Sequence, residues 1–514
     1  MNRFKLIPIF CLTVLAGLQS SCTKDFSKIN TPTNIPESIP LGSLFLEMQN
    51  MVYPAQNNNY QMSENLIGDV YGRYFAISNT WTTNFGTYNA PDSWLNSPYT
   101  DAYAMFYPAY NKVQKETNGE GVFFQWAQLL KVGLFHRITD MYGPIPYSKV
   151  GSTGDYDSQE QVYTNMFNDL DKAIQTLTEF VNVYPNDRSM AQFDNVYGGD
   201  FVKWIKFANS LKLRLAMRIA YANPDLAKQK AEEAVSHLIG VIQDNADNAS
   251  IRYNPNPIKV MWDDYSDSRV AADIVTYMKG YNDPRISKYF QTTSKVYTTG
   301  EGYYGLRVGI NIPSKDWATR YSTPAIYEGD RLLWMNASEI AFLKSEGALR
   351  GWAMGATAEA LYNTGIELSF AQHNVSNALS TYISNTTLTQ ANNVDPTYPA
   401  NALSKITIKW NEAGSFETKL EQIMTQKWIA IYPLGQEAWS EQRRTGYPRF
   451  FPIVLNRNAN ESALTKDGPS RIPFAPNEKI LNLEKYNAGV QLLGGPDNYS
   501  TKLWWDKNQN KPLL

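Results

Sequence analysis

The sequence predicts a mainly α-helical protein with one loop-rich, aromatic face. Apolar residues recur every three or four positions in eight segments, as they do along an amphipathic helix. Strict alternation of apolar and polar residues, which favours strands, is rare, so at most short hairpins are expected, for example near 404–411. Long stretches rich in Asn, Tyr and Pro separate the helical segments, and insertions of that size usually serve a function.

The eight segments form four adjacent pairs. The predicted helices are 123–143 with 160–181, 199–224 with 225–242, 336–352 with 357–374, and 415–433 with 435–446. Pro144, Pro224 and Pro433 mark three helix ends, because proline does not continue a helix. Asp225 is expected to cap or open the helix after Pro224. Helix–turn–helix units are therefore predicted at 123–181, 199–243, 336–374 and 415–446.

The second and third units are similar to tetratricopeptide repeats. Each spans about 40 residues, close to the roughly 34-residue period of that repeat. Small residues at 231–234 and 358–360 would allow the two helices of each unit to cross closely. A generic helical bundle explains the same spacing and stays open as the alternative.

Aromatic residues are abundant, with 33 Tyr, 22 Phe and 13 Trp. Most are expected to fill the helical core. Others lie in polar stretches such as 57–65 (NNNYQMSEN) and 78–94 (SNTWTTNFGTYNAPDSW), which we predict to be ordered surface loops because disordered segments carry few aromatics. Further loop-rich stretches at 244–335 and 375–414 interrupt the helix pairs. A single domain is predicted over 41–514.

Three stretches offer candidates for a ligand-binding face. Carbohydrate recognition uses aromatic rings for the apolar faces of sugars and planar polar side chains for their hydroxyls. The densest cluster lies within 71–99, and two later loops add to it. The candidates are Trp81, Tyr88, Trp94 and Tyr99, then Trp262, and then Tyr303, Tyr304 and Trp317 with Arg320. For each of them, packing of the loop or contact with a protein partner is the alternative.

The N-terminus is typical of a bacterial lipoprotein signal. Arg3 and Lys5 precede an apolar stretch at 6–18 that is too short to span a bilayer as a helix. Small residues then lead into Cys22, which would carry the lipid and begin the mature chain. Residues 1–21 are thus predicted to be the signal and 22–40 a flexible tether. An ordinary secretory signal with an incidental cysteine is the alternative.

Composition and motifs exclude several kinds of chemistry. Cys11 and Cys22 are the only cysteines, so a cysteine nucleophile, a cysteine metal site and a disulfide within the mature body are excluded. A net charge of −2 does not favour binding to nucleic acid. The sequence contains no zinc-protease, P-loop, nucleophile-elbow or dinucleotide motif, so neither catalysis nor a cofactor or metal is expected.

A glycoside hydrolase is the rival enzymatic interpretation. Such an enzyme needs two carboxylates about 5–10 Å apart around the cleaved bond. The candidates for such carboxylates are Asp140 and the two consecutive residues Asp263 and Asp264. His136, four residues before Asp140, and the segment 244–248 (DNADN) are weak signals for a metal.

Six segments give the chain a resemblance to a known family, the SusD/RagB-like nutrient-binding lipoproteins of the outer membrane. They are 22–34 (CTKDFSKINTPTN), 140–148 (DMYGPIPYS), 203–218 (KWIKFANSLKLRLAMR), 336–352 (NASEIAFLKSEGALRGW), 427–448 (KWIAIYPLGQEAWSEQRRTGYP) and 471–474 (RIPF). In this order they cover essentially the whole mature chain. No single segment identifies the family, but the combination of all six after a lipoprotein signal is specific to it.

The resemblance implies both a fold and a function. Family members combine four tetratricopeptide-like pairs with an irregular ligand-binding part. They are anchored at the cell surface by lipid, cap a SusC-like TonB-dependent transporter, and capture oligosaccharides or, in some members, peptides. Their ligand contacts are not held in a fixed motif, so the resemblance assigns none of the candidates above. A peptide-binding or adhesion lipoprotein on the same scaffold stays open beside a glycan-binding one.

Overall fold

The computed structural model describes residues 41–294 and 301–512, and over these residues the protein is mainly helical, as predicted. The longer helices are Leu41–Val52, Asp92–Glu116, Gly121–Tyr142, Gln159–Val183, Phe201–Arg218, Pro224–Ser236, Ala272–Gly280, Ala337–Leu349, Ala358–Gln372, Phe416–Ala430, Gly435–Thr445 and Leu483–Leu493. From Gly42 onward, the described residues form one compact unit. The signal, Cys22 and the tether lie outside the described residues.

Short elements fill the connections. The short α-helices are Asn57–Tyr60, Asp69–Tyr71, Pro257–Lys259, Ile286–Tyr289, Lys315–Ala318, Leu379–Ile383, Leu464–Asp467 and Pro476–Leu481. The π-helical turns are Gln61–Gly68 and Val260–Asp264, and the 3-10 turns are Phe85–Thr87, Ala191–Phe193, Asn245–Asp247 and Ser376–Ala378. Strand Phe75–Ile77 pairs antiparallel with Ser268–Val270, and Ala249–Arg252 pairs antiparallel with Arg331–Met335.

Local capping explains where the paired helices begin. Ser158 forms a capping box with Gln161, in which each side chain bonds the other residue's backbone. Asn336 and Thr357 accept N–H groups from the first turns of the two helices in the third unit. In the second unit the cap is Asn223, which accepts from Leu226 N, and Asp225, which was predicted to cap or open this helix, lies in its first turn.

Small residues mark the helix crossings only in part as predicted. Ala231 and Ala234 are fully buried in the second unit. In the third unit Ala358 and Ala360 are not buried, and Gly365 makes the close contact instead. A Cβ at Gly365 would lie 2.7 Å from the Phe342 ring of the facing helix. The crossing therefore lies one and a half turns further along the helix than the sequence pattern suggested.

The fourth unit departs from a simple hairpin. Its second helix, Gly435–Thr445, packs mainly against Gln61–Gly68 and the short helix that follows it. The two backbones come very close there, because a Cβ at Gly435 would lie 2.4 Å from the Asp69 nitrogen and one at Gly72 would lie 2.3 Å from the Gly435 carbonyl oxygen. This contact joins the start of the described chain to its C-terminal part.

A buried network of ion pairs joins the helix units to one another. Arg218 pairs with Glu437 at 2.6 Å and with Glu441 at 2.7 Å. Arg444 pairs with Glu346 at 2.6 Å and with Glu441 at 2.5 Å. The carboxylates of Glu346, Glu437 and Glu441 have lowered pKa values: burial opposes this, and the neighbouring guanidinium and ammonium groups outweigh it. Charges from three units are thus neutralised in one place.

Three local predictions were wrong. Residues 404–411 form no strand; their backbone is held by side chains such as Gln422, which donates to Thr407 O and Lys409 O at 3.0 and 2.7 Å. The segment 57–65 is helical, and most of its side chains are buried. Part of 78–94 belongs to the helix Asp92–Glu116, which contains Pro98 and Pro108. Two internal prolines normally argue against a helix, which is why the sequence pattern concealed it.

Among the described residues, no helix is long and apolar enough to cross a membrane.

Candidate ligand-binding site

The three stretches that hold the candidate residues converge in the structure. Phe75–Ile77, which precedes Trp81, pairs with Ser268–Val270, which follows Trp262. Leu306, which follows Tyr304, donates its N–H to Val270 O at 2.8 Å. Short backbone ladders therefore bring residues more than 200 positions apart in sequence to the same face.

Asp267 fastens these stretches together by its carboxylate. It accepts hydrogen bonds from Asn79 at 2.6 Å, from Gln61 at 2.9 Å and from Lys315 at 2.7 Å. The side chain is buried and each donor comes from a different segment. The loops are ordered by specific polar contacts, as expected of long functional loops.

The first group of rings is the Trp81–Trp94 patch. The two indoles meet edge to face, with centroids 5.0 Å apart and planes at 82°. Phe85 lies beneath Trp94, with a centroid distance of 6.1 Å. Asn84 fixes the turn by donating to Trp81 O at 2.9 Å and accepting Thr87 N at 3.0 Å. Both indoles are half-buried, so part of each ring meets solvent.

The second group is the Trp317 patch, formed by Trp317, Arg320 and Tyr398. Tyr398 meets Trp317 edge to face at 6.5 Å and 85°. The Arg320 guanidinium lies 4.8 Å from the Trp317 ring centroid, and its Nε donates to Trp317 O at 2.7 Å. All three side chains are half-buried. A ring flanked by a planar cation and a phenol is suited to a polyhydroxylated ligand.

Asn311 and Arg457 connect the two patches. Arg457 donates to Thr82 O, next to Trp81, and to Asn311 Oδ1 at 3.2 Å. Tyr398 makes a long contact of 3.5 Å to Asn311 O. The two groups of rings are therefore neighbours on one surface, with an exposed amide between them.

Tyr303 and Tyr304 line a shallow hollow next to the Trp317 patch. The hollow is completed by Lys279, Tyr321, Asn393 and Asp395. The Lys279 ammonium lies 5.0 Å from the Tyr304 ring centroid and donates to Tyr303 O at 3.3 Å. Burial raises the pKa of Tyr303 above that of a free phenol, so at neutral pH it is an uncharged hydrogen-bonding group.

Three other candidates lie deeper. Tyr88 is only 1% exposed and Tyr99 only 8%, so neither ring offers a face to solvent in this structure. Tyr88 stands at φ 60°, where it ends the turn Phe85–Thr87 beneath the Trp81–Trp94 patch. Trp262 is half-buried and its Nε1 donates to Ile326 O at 2.9 Å. Tyr99 packs instead against Tyr103 and Tyr142, with ring centroids 4.6 and 5.8 Å away.

The carboxylates considered for hydrolysis have structural partners. Asp140 is buried and accepts from Tyr163 Oη at 2.6 Å and Trp505 Nε1 at 2.8 Å. Burial raises its pKa, although Arg218, 3.2 Å away, acts in the opposite direction. Asp263 and Asp264 are half-exposed and pair with Lys259 at 3.3 and 2.6 Å. All three carboxylates are thus engaged with neighbouring side chains.

The weak metal signals also have other partners. His136 is buried, its Nδ1 bonds Val132 O at 3.0 Å, and burial lowers its pKa to about 3. In the segment 244–248, Asp247 pairs with Lys206 at 2.6 Å. The described residues contain no group of three or more His, Cys, Asp or Glu arranged to hold a metal.

Sequence reasoning missed four residues of this face: Lys279, Asn311, Tyr398 and Arg457. The stretch around Tyr398 was noted as a loop-rich interruption, but nothing local to it indicates a partner 81 positions earlier at Trp317. Lys279 and Arg457 have no sequence signal at all, because a lone cation next to Gly or Asn is ordinary on a surface.

Comparison with known proteins identifies the family. The model of the SusD-like family, described as Susd and RagB outer membrane lipoprotein, matches residues 23–506. The chain belongs to this family. A comparison with curated proteins found no match.

Solved structures of SusD homologues agree with the fold. One from Bacteroides thetaiotaomicron is 40% identical, with a TM-score of 0.87, and the match covers 92% of this chain and 100% of that chain. A chitin-binding SusD homologue from Flavobacterium johnsoniae is 38% identical, with the same TM-score and the same coverage. A third, from Bacteroides uniformis, is 40% identical, with a TM-score of 0.86. That match also covers 92% of this chain and 100% of that chain. The helical scaffold is therefore that of the SusD-like family.

Proposed function

We propose that this protein captures saccharides at the outer face of the outer membrane, without cleaving them, and passes them to a SusC-like TonB-dependent transporter. The observation that carries the proposal is the pairing of the Trp81–Trp94 and Trp317 patches on one face. Half-exposed indoles bracketed by amides, phenols and a guanidinium supply both the stacking surface and the hydrogen bonds that a sugar needs.

The chitin-binding relative supports a saccharide over a peptide as cargo. Chitin is an uncharged polymer whose acetamido groups hydrogen-bond to amides and phenols. Asn311 and Asn392, which are exposed, and the Tyr303–Tyr304 hollow offer such groups beside the rings. We therefore expect N-acetylated oligosaccharides to be the first ligands to test, with cellulose fragments and peptides as comparisons.

Titration calorimetry of residues 41–514 against these three ligand classes tests the cargo. Saturable binding of a saccharide in the micromolar to millimolar range is expected, because a few stacked rings contribute only about 1 kcal/mol each. Binding of peptides alone would favour the peptide-binding alternative. Shortening of the saccharide, lost on substitution of a carboxylate, would favour the hydrolase.

The anchoring part of the proposal rests on Cys22 and the signal before it. Cys22→Ala should move the protein from the membrane fraction to the soluble fraction, and mass spectrometry of the wild type should find acyl chains on residue 22. Protease treatment of intact cells tests the outer-face orientation. A variant that stays in the membrane, together with an unmodified Cys22, would contradict the lipid anchor.

The partnership is tested by purification from native membranes in mild detergent. We expect a stable complex with a TonB-dependent transporter, with buried area above the standard of about 1,600 Å², because a lid over a barrel mouth covers a wide surface. Consistent recovery of the protein alone would contradict this part of the proposal and leave the saccharide site untouched.

A further inference from the structure

A cavity of about 310 Å³ lies between the helix Gly435–Thr445, the segment 463–470 and the C-terminal residues 500–512. This volume is at the lower end of the range of small-molecule sites, roughly 300–1,000 Å³. Its charged lining consists of Arg443, Lys502, Asp506 and Lys511. Lys511 forms an ion pair with Asp506, so the single carboxylate is already engaged.

A smaller cavity of about 20 Å³ adjoins the first one. The two share Gln442, Gly468 and Pro469 as walls, and the smaller one adds Arg73 and Lys466. Among the side chains that the structure describes, the two cavities together are thus lined by five cationic groups and one carboxylate. This excess of cationic over anionic groups favours a positive potential in the cavities.

Arg73 is the clearest sign that a partner belongs there. It is 7% exposed, and its Nε has no hydrogen-bond acceptor among the described atoms. Its guanidinium lies 5.9 Å from the Phe450 ring and interacts with the Tyr88 hydroxyl. The Asp273 carboxylate attracts the Arg73 guanidinium electrostatically but does not hydrogen-bond to it. Its Oδ1 accepts a hydrogen bond from Phe451 N at 2.7 Å. A buried guanidinium without an ion pair is costly, and an anion in the cavity would remove that cost.

Arg443 lines the larger cavity. As with Arg73, no carboxylate among the described residues forms an ion pair with its guanidinium group. It donates to Asp140 O at 2.7 Å, to Ser470 O at 2.8 Å and to Ser440 Oγ at 2.9 Å, all of which are uncharged acceptors. Its guanidinium stacks 3.6 Å from the Trp439 ring. These contacts hold the planar cation in place at the wall of the larger cavity.

We propose that these adjoining cavities bind a small oxyanion, namely a sulfate, a phosphate or a carboxylate group. Guanidinium and ammonium groups are the side chains that bind such groups most strongly. The anion comes either from solution or as the acidic group of a saccharide. Two buried side chains lie between the smaller cavity and the Trp81–Trp94 patch: Tyr71 lines the cavity, its hydroxyl bonds Phe85 O at 3.2 Å, and Phe85 lies beneath Trp94. The proposal does not depend on the proposed function.

Titration calorimetry of the anchorless protein at low ionic strength tests it with three probes: inorganic sulfate, glucuronate and uncharged glucose. Low ionic strength is used because salt screens the attraction between the anion and exposed cationic side chains. One saturable site for sulfate is expected if the anion is free. A site for glucuronate without one for sulfate is expected if the anion is carried by a sugar, and either result supports the proposal.

Variants at the exposed ends of the cavities locate the site without disturbing the core. Lys466→Gln and Lys502→Gln should each weaken anion binding at least about threefold, and the double variant at least about tenfold, because each removes one unit charge near the anion. Lys507→Gln is the matched control, since Lys507 is exposed on the same segment but does not line either cavity. Trp94→Ala and Trp317→Ala should leave anion binding unchanged.

The absence of saturable binding of both sulfate and glucuronate would overturn the proposal. So would equal affinity in the wild type and the Lys466→Gln/Lys502→Gln variant, or loss of anion binding in the tryptophan variants, since these results would place the anion elsewhere.

Discussion

The helical scaffold and the candidate ligand-binding face use polar and aromatic groups in opposite ways. In the scaffold, charges such as those of Arg218, Arg444 and Glu441 are buried and neutralise one another at 2.5–2.7 Å. On the face, Trp81, Trp94 and Trp317 are half-exposed and their neighbours are mainly uncharged amides and phenols. The charges of this buried network are already paired with one another, whereas the face presents surface that a ligand can still cover. This difference explains why the carboxylates here support structure while the rings are suited to binding.

The largest expected effect is in the scaffold. Arg444→Met removes one of the partners of Glu346 and one of the partners of Glu441, and leaves these two buried carboxylates less compensated. The free energy of unfolding should fall by about 3–5 kcal/mol, the usual cost of breaking a buried ion pair. Denaturant unfolding measures this.

The matched control for Arg444→Met is Lys228→Ala, which breaks an exposed pair with Glu232 at 3.2 Å. It should change the free energy of unfolding by less than about 1 kcal/mol. Similar losses of unfolding free energy in the two variants would contradict the prediction that the buried ion pairs contribute more to stability than an exposed pair.

Buried and half-exposed rings of the same loop should also differ. Tyr88→Ala should cost about 3–5 kcal/mol of unfolding free energy, because it empties a buried site. Trp81→Ala should cost less than about 1.5 kcal/mol, roughly the value of its edge-to-face contact with Trp94. Equal costs would show that Trp81 is part of the core.

The pH dependence of the free energy of unfolding should reveal the contribution of His136, which is buried in the scaffold. Burial lowers the pKa of His136 to about 3 in the folded protein, while the unfolded chain takes up a proton near pH 6.5. Between these values the unfolded state binds more protons, so this residue makes stability fall as the pH falls. Relative to the wild type, His136→Gln should therefore gain about 1.4 kcal/mol per pH unit below pH 6.5. A pH-independent difference between the two proteins would contradict this assignment.

The scaffold was largely predictable from the sequence because its signals are local. Apolar periodicity lies within each helix, capping side chains such as Ser158 precede several of the helices, and the paired helices begin within two residues of their predicted starts. Failures occurred where a local rule was overridden, as with Pro98 and Pro108 inside a long packed helix. Beside Pro98, the Leu95 carbonyl accepts the Tyr142 hydroxyl at 2.8 Å, a tertiary contact that no local pattern reveals.

The face was predictable in composition but not in arrangement. Aromatic residues in polar stretches predicted accessible rings around Trp81 and Trp317, and both indoles are half-exposed. Their meeting depends on backbone ladders between Phe75–Ile77 and Ser268–Val270 and on Asp267, whose partners lie far away in sequence. For the same reason the pattern could not separate Tyr88, which is buried, from Trp94, which is half-exposed.

The central claim is that the half-exposed rings of the face bind a saccharide, and calorimetry with an N-acetylated oligosaccharide tests it most directly. Trp94→Ala and Trp317→Ala should each weaken binding about fivefold, because each removes a stacked ring worth about 1 kcal/mol, with unfolding close to that of the wild type. Trp352→Ala, a half-exposed tryptophan in the turn of the third helix unit, should bind as the wild type does. Wild-type affinity in both face variants, or an equal loss in Trp352→Ala, would contradict the claim.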